Sequence, residues 1–150
     1  MSDLRDLYQE VILDHSKRPR NFHRPDGANR QALGYNALCG DRITVYVRLE
    51  DGVLRAVGFE GQGCAICTAS ASVMTESVSG KNEDQTRVLY HGFHELVTGD
   101  PTRKLDASAL GKAGIFADVA ELPMRVKCAT LPWHTLEAAL KGSEDAVSTE

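Results

Sequence analysis

Four cysteines stand at three places in this chain, and each place suits sulfur chemistry. Cys39-Gly40-Asp41 precedes a run of alternating apolar residues. Gly63-Cys64-Ala65-Ile66-Cys67 joins a second such run to a segment rich in small side chains. Lys127-Cys128 lies near the start of the last apolar-periodic stretch. A cysteine that only fills a core more often sits mid-element on an apolar face. Here each motif places thiol beside glycine or a cation. Cys64 and Cys67 fall where a helix should begin, and its unpaired N–H groups and dipole favour negative charge there. Cys128 has Arg125 and Lys127 as neighbours. The thiolate is the form that binds metal and attacks sulfur.

Cys39, Asp41, Cys64 and Cys128 together supply three sulfurs and one carboxylate, a tetrahedral set that zinc accepts. An aspartate is a less common zinc ligand than cysteine or histidine and is easier to displace, which suits a site meant to open. Other readings of the same residues stand beside this one. Cys64 and Cys67, with two residues between them, can be two zinc ligands or a redox pair, although the βαβ pattern of a redox C-x-x-C is absent. An even cysteine count also fits two disulfides or buried structural thiols. The five histidines (15, 23, 91, 94 and 134) adjoin no cysteine and read as surface or core-edge residues.

The rest of the composition narrows the class. With 150 residues, 42% hydrophobic and 25% charged, the chain reads as one soluble domain over 1–150 with its own core, ending in a polar tail at 142–150. Lys plus Arg number 17 against 21 Asp plus Glu, a formal charge of −4. That balance argues against nucleic acid as a partner. The first residues are charged with both signs and precede no apolar stretch, and no run approaches the ~18–20 apolar residues of a membrane span. The expectation is a cytoplasmic protein without a membrane partner, in a compartment where structural disulfides are rare.

The elements that must position the thiols follow from periodicity. Leu4, Leu7, Tyr8, Val11 and Ile12 recur at helical spacing, with Pro19 stopping the helix by about Lys17. The stretch 18–36 is irregular, and Lys17, Arg18, Arg20 and Arg24 give it a basic patch, read either as solvated surface or as a docking contact. Ile43, Val45, Val47 and Leu49 alternate with polar residues, Asp51-Gly52 is a hairpin signal, and a second strand runs from Val53 to about Glu60. Residues 65–79 read as a helix of small side chains. Asn82 and Gln85 form a capping box for another, through Val97. Residues 102–121 are weakly determined, with short helical turns around Ala109 and Ile115–Val119. The last helix starts either near Ala129 or at Pro123 with a kink at Pro132, and ends at Lys141. Helices around one hairpin or small sheet make an α+β fold.

In combination the motifs resemble the IscU-like family. They are Val11-Ile12-Leu13-Asp14-His15 with Pro19-Arg20-Asn21, Leu38-Cys39-Gly40-Asp41, Gly61-Gln62-Gly63-Cys64-Ala65-Ile66 with Ala69-Ser70-Ala71-Ser72, and Arg125-Val126-Lys127-Cys128-Ala129-Thr130-Leu131. The likeness covers about residues 4 to 141 and is closest to the SufU type. IscU-type scaffolds carry histidine directly before the last cysteine, where this chain has Lys127. They also have a shorter interval between the second and third cysteine motifs, and the residues near 102–121 fit the SufU-type insertion. The Leu-Pro-Pro-Val-Lys chaperone motif of IscU-type chains is not matched by Leu122-Pro123-Met124-Arg125.

The resemblance implies a small three-stranded antiparallel sheet with helices packed on one side and the metal site at one end. A third strand then belongs in 29–36. It implies zinc held by Cys39, Asp41, Cys64 and Cys128, and a sulfurtransferase role in iron–sulfur cluster assembly. Cys39 is the implied catalytic thiol, receiving persulfide sulfur from a cysteine desulfurase of the SufS type, with a downstream assembly scaffold as the next partner. The alternative is a scaffold on which iron or a [2Fe–2S] cluster is assembled and passed on. A structural zinc module is the third reading. Cys67 departs from the family pattern, which has serine at its position; it reads as a spare or resolving thiol, or as a small buried residue.

Overall fold

The computed structural model describes residues 3–99, 107–142 and 146–148. Helix α1 spans Asp3–Lys17 and the strands β1, β2 and β3 span Arg30–Asn36, Asp41–Glu50 and Val53–Gln62. Helices α2 (Ala65–Val78), α3 (Glu83–Thr98) and α4 (Pro123–Leu140) follow, with a 3₁₀ segment at Ala107–Glu121 before α4 and a two-residue strand β4 at Val147–Ser148. Both hairpins of β1, β2 and β3 are antiparallel. Ala32, Val45 and Phe59 lie side by side across the three strands, and all are buried. Alternation therefore gives the sheet one inner face, also bearing Ile43, Val47 and Val57, against which α2 and α4 pack.

The hairpin signal forms as expected. Asp51 and Gly52 both have positive φ, 53° and 74°, the pair of left-handed residues that a two-residue turn needs. The capping box closes too: Gln85 N–H donates to Asn82 Oδ1 at 2.7 Å, and Asn82 N–H donates to Gln85 Oε1 at 3.0 Å. Of the two starts considered for the last helix, Pro123 is correct. Pro123 sits in the first turn, where its missing N–H costs nothing, and Pro132 is buried in the interior of the helix. Of the α1 stripe, Val11 and Ile12 pack on the core, while Leu4, Leu7 and Tyr8 lie outside the residues whose side chains are described.

Two features go beyond the expectation. Among the described residues the sheet has four strands, in the order β3-β2-β1-β4, and β4 pairs parallel with β1 at Gly34 and Tyr35. Two residues of the stretch read as polar tail thus satisfy the otherwise open edge of β1. The 3₁₀ segment, where short turns were expected, is interrupted at Gly111 and buries Ala113, Ile115, Phe116 and Val119. Residues 102–106 of the expected insertion lie outside the described ones. Among the described residues no helix is long and apolar enough to cross a membrane.

Candidate metal centre

Three element junctions meet at one end of the sheet. The turn from β1 to β2 carries Cys39, and Asp41 is the first residue of β2. Asn36 and Asp41 are paired across the mouth of this hairpin. The side chain of Asn36, fully buried, accepts the N–H of Leu38 at 3.1 Å, and its carbonyl accepts the N–H of Cys39 at 3.3 Å. This aspartate-like turn fixes the loop that presents the thiol. Sequence reasoning passed over Asn36; the available signal was an asparagine three residues before a cysteine in a glycine-bearing loop. Gly40 completes the turn with φ 73°, and an added Cβ there would meet nothing within 4 Å. Its requirement is conformational and not steric.

Cys64 caps α2. Its Sγ accepts the N–H of Cys67 at 3.4 Å, as an N-cap side chain does. Its own N–H donates to Asp41 Oδ1 at 2.8 Å, and its Sγ stands 3.9 Å from Asp41 Oδ2. Cys128 lies within α4, its thiol 3.7 Å from the carbonyl of Met124 one turn earlier. Ser70 of α2 donates to the carbonyl of Ala129 at 2.6 Å, which ties the cysteine-bearing parts of α2 and α4 together.

The ligand atoms of Cys39, Asp41 and Cys128 all lie within 4.8 Å of one another. Zinc–sulfur bonds of about 2.3 Å put sulfurs about 3.8 Å apart in a tetrahedron, so this trio needs little closing. Cys64 stands beside it through Asp41 and lies outside the trio. The four residues expected at the site are thus neighbours, with Asp41 and Cys128 buried and Cys39 and Cys64 partly exposed. Cys67 is fully buried in the same wall. Free thiols are found at all four cysteines, so the two-disulfide reading fails.

Burial pushes the Cys128 thiol up, and hydrogen bonding among Cys128, Cys39, Asp41 and Cys64 adds to this. Burial likewise raises Cys67, helped by the negative charges of Asp41, Cys64 and Cys39. The Arg125 guanidinium faces Cys64 and Cys128 and is itself held further in its charged form by them. Crowded acidic donors of this kind disfavour thiolates on their own and favour them once a cation shares their charge. The residues present fit a divalent metal.

The histidines play no part here. Of the surface or core-edge positions expected for the histidines, His15 takes neither: it is buried, with Nδ1 2.7 Å from Ser72 Oγ. His134 bonds to Tyr90 on the α3–α4 face. In the basic stretch, Arg18 and Arg20 both pair with Asp14, at 3.1 and 2.6 Å.

Comparison with known proteins matches residues 7–129 to the family model described as NifU-like N terminal domain. The chain is 40% identical to the iron-sulfur cluster assembly scaffold protein IscU of Streptococcus pyogenes serotype M1, over 97% of this chain and 90% of that one. It is 34% identical to the zinc-dependent sulfurtransferase SufU of Bacillus subtilis strain 168, over 95% of each. A crystal structure of a putative SUF-system iron-sulfur cluster assembly scaffold from Fervidobacterium islandicum AW-1 superposes with a TM-score of 0.80 at 37% identity, covering 87% of this chain and 94% of that one.

Proposed function

The chain belongs to the family of NifU-like N-terminal domains that includes the IscU and SufU iron–sulfur cluster assembly proteins, and from that premise we propose that it is a zinc-binding sulfur-transfer protein acting with a cysteine desulfurase. Cys39, Asp41, Cys64 and Cys128 are the proposed ligands. Bound zinc supplies charge that keeps these thiols deprotonated near neutral pH. The observation that carries the reading is the asymmetry of the thiols. Cys39 is partly exposed on a turn, between an exposed Leu38 and a sterically open Gly40, while Cys128 is buried in a helix.

The Cys39 thiolate attacks the outer sulfur of a persulfide on the desulfurase. A sulfur–sulfur bond to Cys39 forms, the bond between the two desulfurase sulfurs breaks, and the desulfurase cysteine leaves as thiolate. The sulfur moves without net oxidation. Asp41 would tune the site, because a carboxylate is a weaker and more easily displaced partner for zinc than a fourth thiolate and so eases ligand exchange there. Leu38, Leu122 and Met124 are exposed beside Cys39 and at the start of α4. We take these three as the apolar collar on which the desulfurase would dock.

Incubation with the cognate desulfurase and cysteine, followed by mass spectrometry, should find one added sulfur on Cys39. Full stimulation of the desulfurase by a Cys39→Ala variant would sink the proposal. The second reading, a scaffold for a [2Fe–2S] cluster, is favoured by the scaffold relatives, and the same donors suit iron. A colourless protein with one zinc per chain supports sulfur transfer. One that turns brown on reconstitution and hands its cluster on supports the scaffold.

A further inference from the structure

Away from the thiols, α3 and α4 bring two imidazoles together. The rings of His94 and His134 have centroids 5.5 Å apart and planes at 74°. Both residues are half-buried. A metal–nitrogen bond of about 2.1 Å puts each ring centroid about 3.2 Å from a shared ion, and at the tetrahedral angle the two centroids then stand about 5.2 Å apart. The observed spacing needs little adjustment to match. We propose that His94 and His134 form a second metal site, which holds a divalent first-row transition ion through their Nε2 atoms. This site does not depend on the sulfur-transfer reading of Cys39.

The hydrogen bonds around the rings select that nitrogen. Tyr90 Oη lies 2.5 Å from His134 Nδ1 and also bonds the Glu137 carboxylate. A carboxylate only accepts, so it takes the single phenolic proton, and the phenolic oxygen accepts the N–H of His134 Nδ1. Thr98 repeats the arrangement one helical turn beyond His94. Its hydroxyl donates to the His94 carbonyl at 2.5 Å, so its oxygen accepts the N–H of His94 Nδ1 at 3.3 Å. Each ring is left with its lone pair on Nε2. Ligating histidines are held in this way, with one N–H anchored and the bare nitrogen left for the ion. Burial, with the charge of His94 second, holds the His134 pKa below its ordinary 6.5, so this ring is neutral at neutral pH.

Access and coordination agree with an exchangeable ion. His134 and Thr98 line one open cleft of about 1020 Å³. Among the described residues no third histidine, cysteine or carboxylate completes a three-donor group with the pair. Water fills the remaining positions, and an ion held by two imidazoles exchanges readily. Imidazole suits zinc, iron, nickel and copper. His134 follows Cys128 on the same helix, about 9 Å further along α4. The second site therefore holds its ion close to the thiol centre.

Zinc itself is the probe, on untagged protein that has first been loaded with one zinc per chain. Equilibrium dialysis at micromolar free zinc should find a second zinc bound to wild type. His94→Ala and His134→Ala should each bind it at least about tenfold more weakly, and His23→Ala should bind it as wild type does. The readout is the difference between wild type and variants, so it stands whatever ion the thiol centre carries. Absence of a second zinc overturns the proposal, as does a second zinc bound equally well by His94→Ala. Nitrogen-15 NMR of the imidazoles needs no variant. Before the second zinc is added, both rings should carry their proton on Nδ1, and both Nε2 signals should shift when it enters. A proton on Nε2 of either ring, or Nε2 signals that zinc leaves unmoved, reduces the two rings to an edge-to-face pair and refutes the site.

Discussion

Thr135 of α4 closes directly over Gly34 of β1: a Cβ added to the glycine would overlap the threonine hydroxyl and stand 3.0 Å from Leu131 Cδ1. That hydroxyl already donates to the Leu131 carbonyl at 2.7 Å, so it is not free to swing aside. This contact sets how near α4 lies to the strand that leads into the Cys39 turn, and hence how near Cys128 comes to Cys39 and Asp41. Gly34→Ala should therefore cost about 1–3 kcal/mol of stability, the usual range for overpacking. It should also weaken metal retention by spreading the trio. Denaturant unfolding and zinc competition with a chelator would check both, and an unchanged affinity would show that the site tolerates movement of α4.

Asp41 does two things at once. It offers a carboxylate to the trio and accepts the N–H of Cys64, which holds the α2 N-terminus against the hairpin. Asp41→Asn keeps an acceptor for that N–H and removes the charge, whereas Asp41→Ala removes both. Zinc affinity should fall in both variants. Only Asp41→Ala should also lose about 1–3 kcal/mol of stability in the metal-free protein, the cost of an orphaned partly buried N–H. Equal metal-free stability in the two would mean the Cys64 contact carries no weight.

What the sequence made legible follows from how local each signal is. Cys39, Asp41 and Cys64 could be read because each sits beside a turn glycine or a helix start, and Cys128 because Arg125 and Lys127 stand next to it, features set by neighbours in the chain. The Asp51-Gly52 turn and the Asn82–Gln85 box are of the same kind. The burial of His15 was not legible, because its partner Ser72 is 57 residues away and nothing near His15 announces it. The pairing of Val147 and Ser148 with β1 was hidden for the same reason, since two residues carry no periodicity. Ser70 reads as one more small residue of α2 until the carbonyl of Ala129 is brought beside it.

His15 links that tertiary contact to pH. Ser72 Oγ accepts the N–H of Arg20 at 2.8 Å, which leaves its own proton for His15 Nδ1. His15 Nε2 then carries the ring proton and faces Glu76 Oε1 at 3.7 Å, a carboxylate also held by Lys112 at 3.2 Å. Burial, reinforced by the Arg20 charge, holds the His15 pKa below its ordinary 6.5. The unfolded chain therefore takes up a proton first as pH falls. Stability should be full above about pH 6.5 and decline as pH drops below it. His134, lowered in the same direction by burial, adds to the slope. Urea unfolding across about pH 5 to 8 should show this decline, less steep in His15→Gln. His15→Ala should also lose about 1–3 kcal/mol at neutral pH through the orphaned Ser72 hydroxyl, with the emptied volume adding to it. A slope identical in wild type and His15→Gln would remove His15 from the account.

The apolar collar gives the last expectation. Met124 is 59% exposed one turn before Cys128, and Leu38 is 67% exposed beside Cys39. Neither side chain belongs to the Cys39–Asp41–Cys128 trio, so changing them should leave metal content alone. Burying a methionine side chain in an interface is worth about 1.5–3 kcal/mol. Met124→Asp should then raise the concentration of this protein that half-saturates desulfurase stimulation by roughly ten- to a hundredfold. Leu38→Asp should act in the same direction. Zinc stoichiometry measured on the same samples separates a docking defect from a damaged site. Half-saturation unchanged in both variants, with zinc intact, would place the desulfurase on another face, and Arg18, exposed on the α1 side, would become the next residue to reverse in charge.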